Sequence, residues 1–457
     1  MSASEISIDT REAPRSKQPQ FVAAKKDPNL RMKQVIWAYF LLLIFEGALR
    51  KWILPFASGP ILIIRDPVAI YLIVLANQRG LIKDMYAKFM IIIGILSFFT
   101  AMTLGHGNFG VALYGARILV IHFPLIFIIG RVFTIEDVIK IGKVTVWISL
   151  PMIVLVGLQF FSPQSAFVNR GVGGDEGGAG FSGAMGFFRP PGTFSFTNGN
   201  TLFFSFLAPF IMYFWLYPKN INRLLLLAST FALLASIPTS ISRALFFSII
   251  VTAAFTVIAV SRKPAYIKRV LGAGVGIVFV FMILSQTSMF QTATGAFMAR
   301  FDGANATEGG VESVLLDRYL GGLLGAIIGA ADQPFFGNGI GLGTNLGSQV
   351  FGYTYAPEGE WAKIAWEQGL ILGFGVIIIR LGFSIQMLKE SYNKLAAGNL
   401  LPWILLSVFL LNIPQAQWKQ PTSLGFTVMI GGLQLAALRL PRRPKKAAAK
   451  PMAISQT

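Results

Sequence analysis

The chain has 457 residues, of which 54% are hydrophobic and only 13% charged, and its formal net charge is +19. A soluble domain carries about 25% charged residues, so this composition excludes an ordinary soluble fold and points to one large membrane domain. There is no cysteine and only two histidines, His106 and His122, which excludes disulfides, iron–sulfur clusters, Cys-ligated zinc and a His-rich metal site.

Residues 1–33 are polar and carry Pro14, Pro19 and Pro28; they are expected to form a disordered cytoplasmic tail. They hold no apolar h-region, so no cleavable signal peptide is expected and the first span serves as the targeting signal. Apolar spans follow near 34–49, 61–77, 86–104, 109–130, 138–161, 200–217, 222–239, 243–261, 267–286, 364–388, 400–416 and 421–438. The expectation is an all-α polytopic membrane protein with about 12 transmembrane helices filling 34–438. A basic tail, 439–457, ends the chain.

With the N-terminus inside, 27 of the 39 Lys and Arg residues fall on the cytoplasmic side, although the two longest loops, 162–199 and 287–363, lie on the other. The positive-inside bias therefore predicts both termini in the cytoplasm of a bacterial inner (cytoplasmic) membrane and two large periplasmic loops. The basic residues alternate from loop to loop and are not interleaved with aromatics along a groove, so no nucleic-acid partner is expected.

In the second span, Asp66 followed by Pro67 reads as a helix N-cap with proline at the first helical position. Residues 61–64 are then either a re-entrant approach or part of a kinked ordinary span. The first large loop is glycine-rich, and 171–186 is expected to be mobile. In the second, 312–331 has helical spacing with Gly321, Gly325 and Gly329 on one face, a pattern that lets a helix pack closely on a neighbour. This predicts a periplasmic helix lying against the bundle.

Several cations lie on the outer side, where topology disfavours them, and an anionic ligand is one reason to keep them there. Arg189 opens Arg-Pro-Pro-Gly-Thr-Phe, which runs to Thr197-Asn198 at the mouth of a span, where Thr197 or Asn198 can cap the helix. It reads either as a clamp for a diphosphate or as an interfacial arginine on a capped loop. Ser240-Ile-Ser-Arg243 forms a tight turn in which Ser242 can cap the next span; Arg243 then opposes the helix dipole in the first turn, unless it simply snorkels. Arg318 is ten intervening residues before Gly329 and either faces a ligand or pairs with Asp317 or Glu312. Glu360, Lys363 and Glu367 are spaced for a local ion pair; alternatively Glu358 or Glu360 is a general base. The run 337–343 resembles a phosphate loop only loosely, since no strand precedes it. Glu46 and Arg50 form an i,i+4 pair, Arg117 and Arg380 are charges inside spans and flagged as functional, and His122 reads as a packed polar residue.

Together these pieces resemble the O-antigen ligase and Wzy-type polysaccharide polymerase superfamily. The match rests on Arg189-Pro-Pro-Gly-Thr-Phe with Thr197-Asn198, on Ser-Ile-Ser-Arg243, on Asp317-Arg318 with Gly329 in an Arg-x10-Gly pattern, and on Pro334-Phe-Phe-Gly-Asn-Gly-Ile-Gly-Leu-Gly followed by Glu358, Glu360-Trp and Glu367-Gln-Gly. Glu46-Gly-Ala-Leu-Arg-Lys-Trp and Ile-Arg65-Asp-Pro are similar to a subset of members. The resemblance implies a GT-C-like, metal-independent glycosyltransferase without a cofactor. Its substrate would be an undecaprenyl-diphosphate-linked oligosaccharide drawn from the membrane lipid and handled with polysaccharide-assembly proteins. By analogy Arg189, Arg243 and Arg318 bind the diphosphate, with Arg318 also catalytic. Ligases commonly place a histidine in the late loop, where this chain has Glu358 and Glu360; that departure favours a polymerase. A multispan transporter, a lipid-linked oligosaccharide flippase and a non-catalytic scaffold are the competing classes.

Overall fold

All twelve apolar segments form helices, because each satisfies its backbone hydrogen bonds internally. In the computed structural model the described residues are 27–262, 266–308, 322–331, 333–352, 357 and 359–439. Helix α1 spans Leu30–Ala48 and continues through a wider turn at Leu49–Ile53. Residues 30–33, expected in the tail, are thus already helical, and 1–26 and 440–457 lie outside the described residues. There follow α2 (Ser58–Leu62), α3 (Arg65–Gln78), α4 (Met85–Thr103), α5 (Phe109–Arg117), α6 (Phe123–Val132) and α7 (Ile135–Phe161). A small hairpin, β1 (Phe181–Ser182) and β2 (Phe188–Arg189), precedes α8 (Thr197–Leu216), α9 (Arg223–Thr239), α10 (Arg243–Ser261) and α11 (Ile267–Ser285). The late segment holds α12 (Ser288–Glu308), α13 (Gly322–Ala331) and α14 (Asn345–Phe351). Then come α15 (Glu360–Gln368), α16 (Phe374–Ala396), α17 (Leu401–Asn412) and α18 (Pro421–Leu438).

The packing is that of a multi-pass membrane protein. On α4, Phe89, Ile92, Leu96 and Phe99 form an exposed apolar stripe, whereas Ala87, Gly94, Ser97 and Ala101 face inward. Large apolar groups outside and small ones inside is the arrangement expected when the solvent is lipid and helices associate by close packing. The same logic seats α18 against α6, where Gly431 and Gly432 receive Ile126 and Ile129.

Among the described residues nine helices are long and apolar enough to cross a membrane, fewer than the twelve spans expected. The difference has a physical origin. Helix α9 has 17 residues and α17 only 12; at 1.5 Å per residue the shorter reaches about 18 Å, well under a hydrocarbon core of about 30 Å. Helix α11 bends by 101° into α12 instead of ending in a loop. The second span is helical across its proline: α2 and α3 join in one apolar stretch, Pro55–Gln78, which favours the kinked span. Asp66 is not its N-cap, because Ile64 takes that place and the carboxylate turns elsewhere.

Two ends of the bundle are distinct. At one, Arg79 donates to the Pro28 carbonyl, Lys33 pairs with Asp137, and Arg439 donates to Gly130 and Arg131, which brings both ends of the described chain together. The opposite end carries the long connections, and we term it the loop end. The segment 171–186, expected to be mobile, is fastened there: Gly173 donates to the Arg50 carbonyl, Ala179 to that of Asn169 and Gly180 to the Gln164 side chain. Gly325 and Gly329 do not press on a neighbour as expected; a methyl group at either would meet open space, and it is Ala326 that is buried. Gly321 lies outside the described residues' side chains, as does all of 309–321.

Candidate functional site at the loop end

Two sequence motifs fit together here. The chain after Arg189 lies across the last turn of α1, so closely that a side chain at Gly47 would overlap the backbone of Thr193, Phe194 and Ser195. Around that contact Thr193 donates to the Ile44 carbonyl at 2.6 Å, Lys51 Nζ to the Gly192 carbonyl at 2.6 Å and Arg50 Nη1 to Ser195 Oγ at 2.9 Å. Gln159 grips Gly192 from α7, accepting from its N–H at 2.8 Å and donating to its carbonyl at 3.2 Å. Gly192 has φ +62°, which a residue with a Cβ resists. Trp52 adds a bond to the Phe167 carbonyl. Thus Gly47, Arg50 and Lys51 hold the Arg189 loop, and Trp52 fastens the neighbouring turn at Phe167. Neither Thr197 nor Asn198 caps α8, as the N-cap is Phe196; Asn198 instead donates across to Gln420 and Ser423 on the α18 side.

The hairpin then carries Arg189 to the turn before α10. Phe181 pairs in register with Arg189, and at Gly183 an added Cβ would meet the Ile241 side chain. Ser242 does cap α10, accepting from the Leu245 N–H at 3.3 Å and from Thr201 at 3.0 Å, which leaves Arg243 in the first turn. Ile241 holds φ +46°, a left-handed conformation that costs a β-branched residue about 1–3 kcal/mol. Its side chain is buried among Phe160, Phe187, Ala293 and Ala296, and this packing fixes the turn. Arg189 is consequently half-buried, within electrostatic reach of Arg300 and Arg243; its partial burial first, then these two positive charges, push its guanidinium below the usual arginine range. Its Nε is buried with no hydrogen-bond partner among the described residues.

Two of the three arginines expected to converge, Arg189 and Arg243, are therefore neighbours, and the third, Arg318, lies outside the described residues. Arg300 joins them from α12, a helix that the sequence reading treated as loop. Its signal was the spacing of Phe290, Ala293, Phe297 and Phe301, an apolar face that packs on Phe246 and Phe247.

Beside this group a cleft of about 370 Å³ opens between the Arg189 loop, α1, α14 and the start of α18. Phe196 lines it and meets Phe181, the strand partner of Arg189, at 5.8 Å between ring centroids. Glu46 and Arg50 form its charged wall, and they do more than the local pair expected. Glu46 accepts from Arg65 at 2.9 Å, and Arg50 also donates to the Ser58 carbonyl at 2.8 Å. Arg65 continues to the Pro421 carbonyl, while its Nη1 is buried without a partner among the described residues.

The charges inside spans are compensated. Arg117 donates to both carboxylate oxygens of Asp66 and stacks on Tyr114, and His122 bridges Asp66 and Tyr39. Arg380 pairs with Glu360 at 2.9 Å, donates to the Ile413 and Ala416 carbonyls and stacks on Trp418. Glu360 thus turns to Arg380 rather than along its own helix. Its Oε2 is buried without a partner among the described residues, and Glu360 borders a void of about 20 Å³, room for one water and not for a sugar. Glu358 lies outside the described residues. Glu367 pairs with Lys419 at 2.9 Å and accepts from the Gly341 and Gly343 N–H groups, so the glycine run holds a carboxylate of its own chain where a phosphate loop would hold a ligand.

No three Asp, Glu or His side chains converge to hold a metal ion among the described residues. The chain matches no protein-family model, and comparison with curated proteins and with solved structures finds no match.

Proposed function

We propose that this protein is a metal-independent, GT-C-like glycosyltransferase that polymerises or ligates undecaprenyl-diphosphate-linked glycan repeat units at the periplasmic face of the bacterial inner membrane. The observation that carries this reading is Arg189, whose half-buried guanidinium lies within electrostatic reach of Arg243 and Arg300. Three like charges gathered at a water boundary are best accounted for by a polyanion, and a diphosphate suits the planar donor fork of arginine. In the reaction an acceptor hydroxyl attacks the anomeric carbon, its proton passes to solvent water, and the bond from that carbon to the diphosphate breaks. The arginines stabilise the charge that collects on the departing diphosphate.

The orientation follows from charge. Lys33, Arg79, Arg131 and Arg439 lie at the end opposite the arginines, and the basic tails adjoin it in sequence, so the positive-inside rule assigns that end to the cytoplasm. The test is glycan analysis in a deletion strain complemented with Arg189→Ala or Arg243→Ala, with membrane insertion followed by immunoblot. The reading requires polymer loss with normal insertion. Normal chain length in both variants removes it, and repeat units accumulating on the cytoplasmic face replace it with a flippase.

A further inference from the structure

The cleft beside the arginines differs from them in chemistry. Among the described residues its only charged lining groups, Glu46 and Arg50, face each other at 3.8 Å, and each is bound further by Arg65 or by Ser58 and Ser195. The rest of the polar lining is amide and hydroxyl: Ser195, Asn198 and Gln420 among others. These groups can donate and accept at once, as a ligand rich in hydroxyls requires. One wall is Phe196, which is 48% exposed and stands beside Leu62, Val172 and Pro421 as well as the polar groups. An exposed ring face beside amide and hydroxyl groups offers an apolar platform, with a negative face that attracts C–H groups. At about 370 Å³ the space falls within the range of small-molecule sites, about 300–1,000 Å³.

From the balanced charge, the amide and hydroxyl lining and the Phe196 platform, we infer that this cleft is a binding subsite for a neutral pyranose ring. The ring stacks on Phe196 and its hydroxyls bond to Asn198 and Gln420. The connection from Phe196 through Phe181 to Arg189 places the subsite next to the arginines, so a sugar and the diphosphate it is linked to occupy adjoining places. The choice of ligand rests on the glycan-transfer reading above; the subsite itself is tested without any turnover.

The experiment is saturation-transfer NMR on the detergent-solubilised full chain with D-glucose, D-galactose, D-mannose and N-acetylglucosamine as separate probes, and with inorganic pyrophosphate as competitor. At least one sugar should give ring C–H signals, weakened about tenfold by Phe196→Ala or Asn198→Ala, the loss of roughly one net contact. Phe196→Trp should retain them, which separates loss of the platform from loss of the fold. Arg189→Ala should leave the sugar signals intact. No signal from any of the four sugars, signals untouched by Phe196→Ala and Asn198→Ala, or full displacement by pyrophosphate would each overturn the subsite. Sugar binding of the expected kind alongside normal polymer in Arg189→Ala would instead remove only the transferase reading.

Discussion

Lys51 donates its buried ammonium to the carbonyl of Gly192 at 2.6 Å, so the end of the first helix grips the loop that carries Arg189. Among the described residues the one other group against the Lys51 ammonium is the Trp52 ring at 4.4 Å. An ammonium taken out of water for one carbonyl and one ring is a costly arrangement, and its effect is to fix a turn. Lys51→Met should therefore lower polymer formation more than it lowers stability. The expected stability loss is about 1–3 kcal/mol, that of one hydrogen bond to a charged group. Polymer profiles and melting temperatures from the same preparation check it; equal falls in both would mean that Lys51 only supports the fold.

Gly47→Ala places a methyl group into the Thr193–Ser195 backbone, and the loop must move. Loss of polymer is expected, with destabilisation of about 1–3 kcal/mol from overpacking. Gly157→Ala is the control: nothing lies within 4 Å of the added methyl on α7, and a gain of about 0.5–1 kcal/mol is expected from helix preference. Thermal unfolding in detergent measures both.

Arg300 is exposed, so Arg300→Ala should leave stability within about 0.5 kcal/mol of the parent. If the third guanidinium contacts the diphosphate, polymer should fall about 10- to 100-fold, the equivalent of one hydrogen bond to a charged group. Quantified glycan ladders read the change, and an unchanged ladder would restrict the anion site to Arg189 and Arg243.

Glu360→Gln breaks a buried ion pair and should destabilise by about 3–5 kcal/mol. Adding Arg380→Gln removes the stranded charge and should restore most of the stability together with polymer formation. A double variant that is stable but inactive would instead place Glu360 in the chemistry as a proton acceptor.

Asp84 caps α4 through the Tyr86 N–H, and its partial burial raises its carboxyl above the ordinary value. The folded chain then holds that proton more tightly than the unfolded one, so ionised Asp84 opposes folding at neutral pH and the opposition fades as pH falls through the raised value. Asp84→Asn keeps the cap. It should melt higher than the parent at pH 7, with the difference shrinking toward the carboxylate range; a difference that grows on acidification would contradict this.

The helices were legible because an apolar run of span length can do little else in lipid. One local cap was legible as well: Ser242 caps α10 as its position before the apolar run implies, whereas Thr197 and Asn198 do not cap α8. What the sequence hid was partnership over distance. Asp66 resembles an N-cap, yet its carboxylate serves Arg117, 51 residues later. Glu360 and Glu367 are spaced for Lys363, yet turn to Arg380 and Lys419. In both cases local spacing offers an inexpensive pairing, and burial elsewhere makes a stronger demand. Gly47 looked like one glycine among 47, and only the crossing of α1 by the Arg189 loop shows why a larger residue fails there. The glycine row at 321, 325 and 329 shows the converse, since Gly325 and Gly329 face open space.

The seat of Glu367 has a consequence for anion traffic across this end of the protein. Backbone amides curled around a carboxylate form a receptor that is already occupied by a tethered guest, with Lys419 as lid. A seat filled in this way takes no further anion while Glu367 stays in it, and shortening that side chain would free the amides for one.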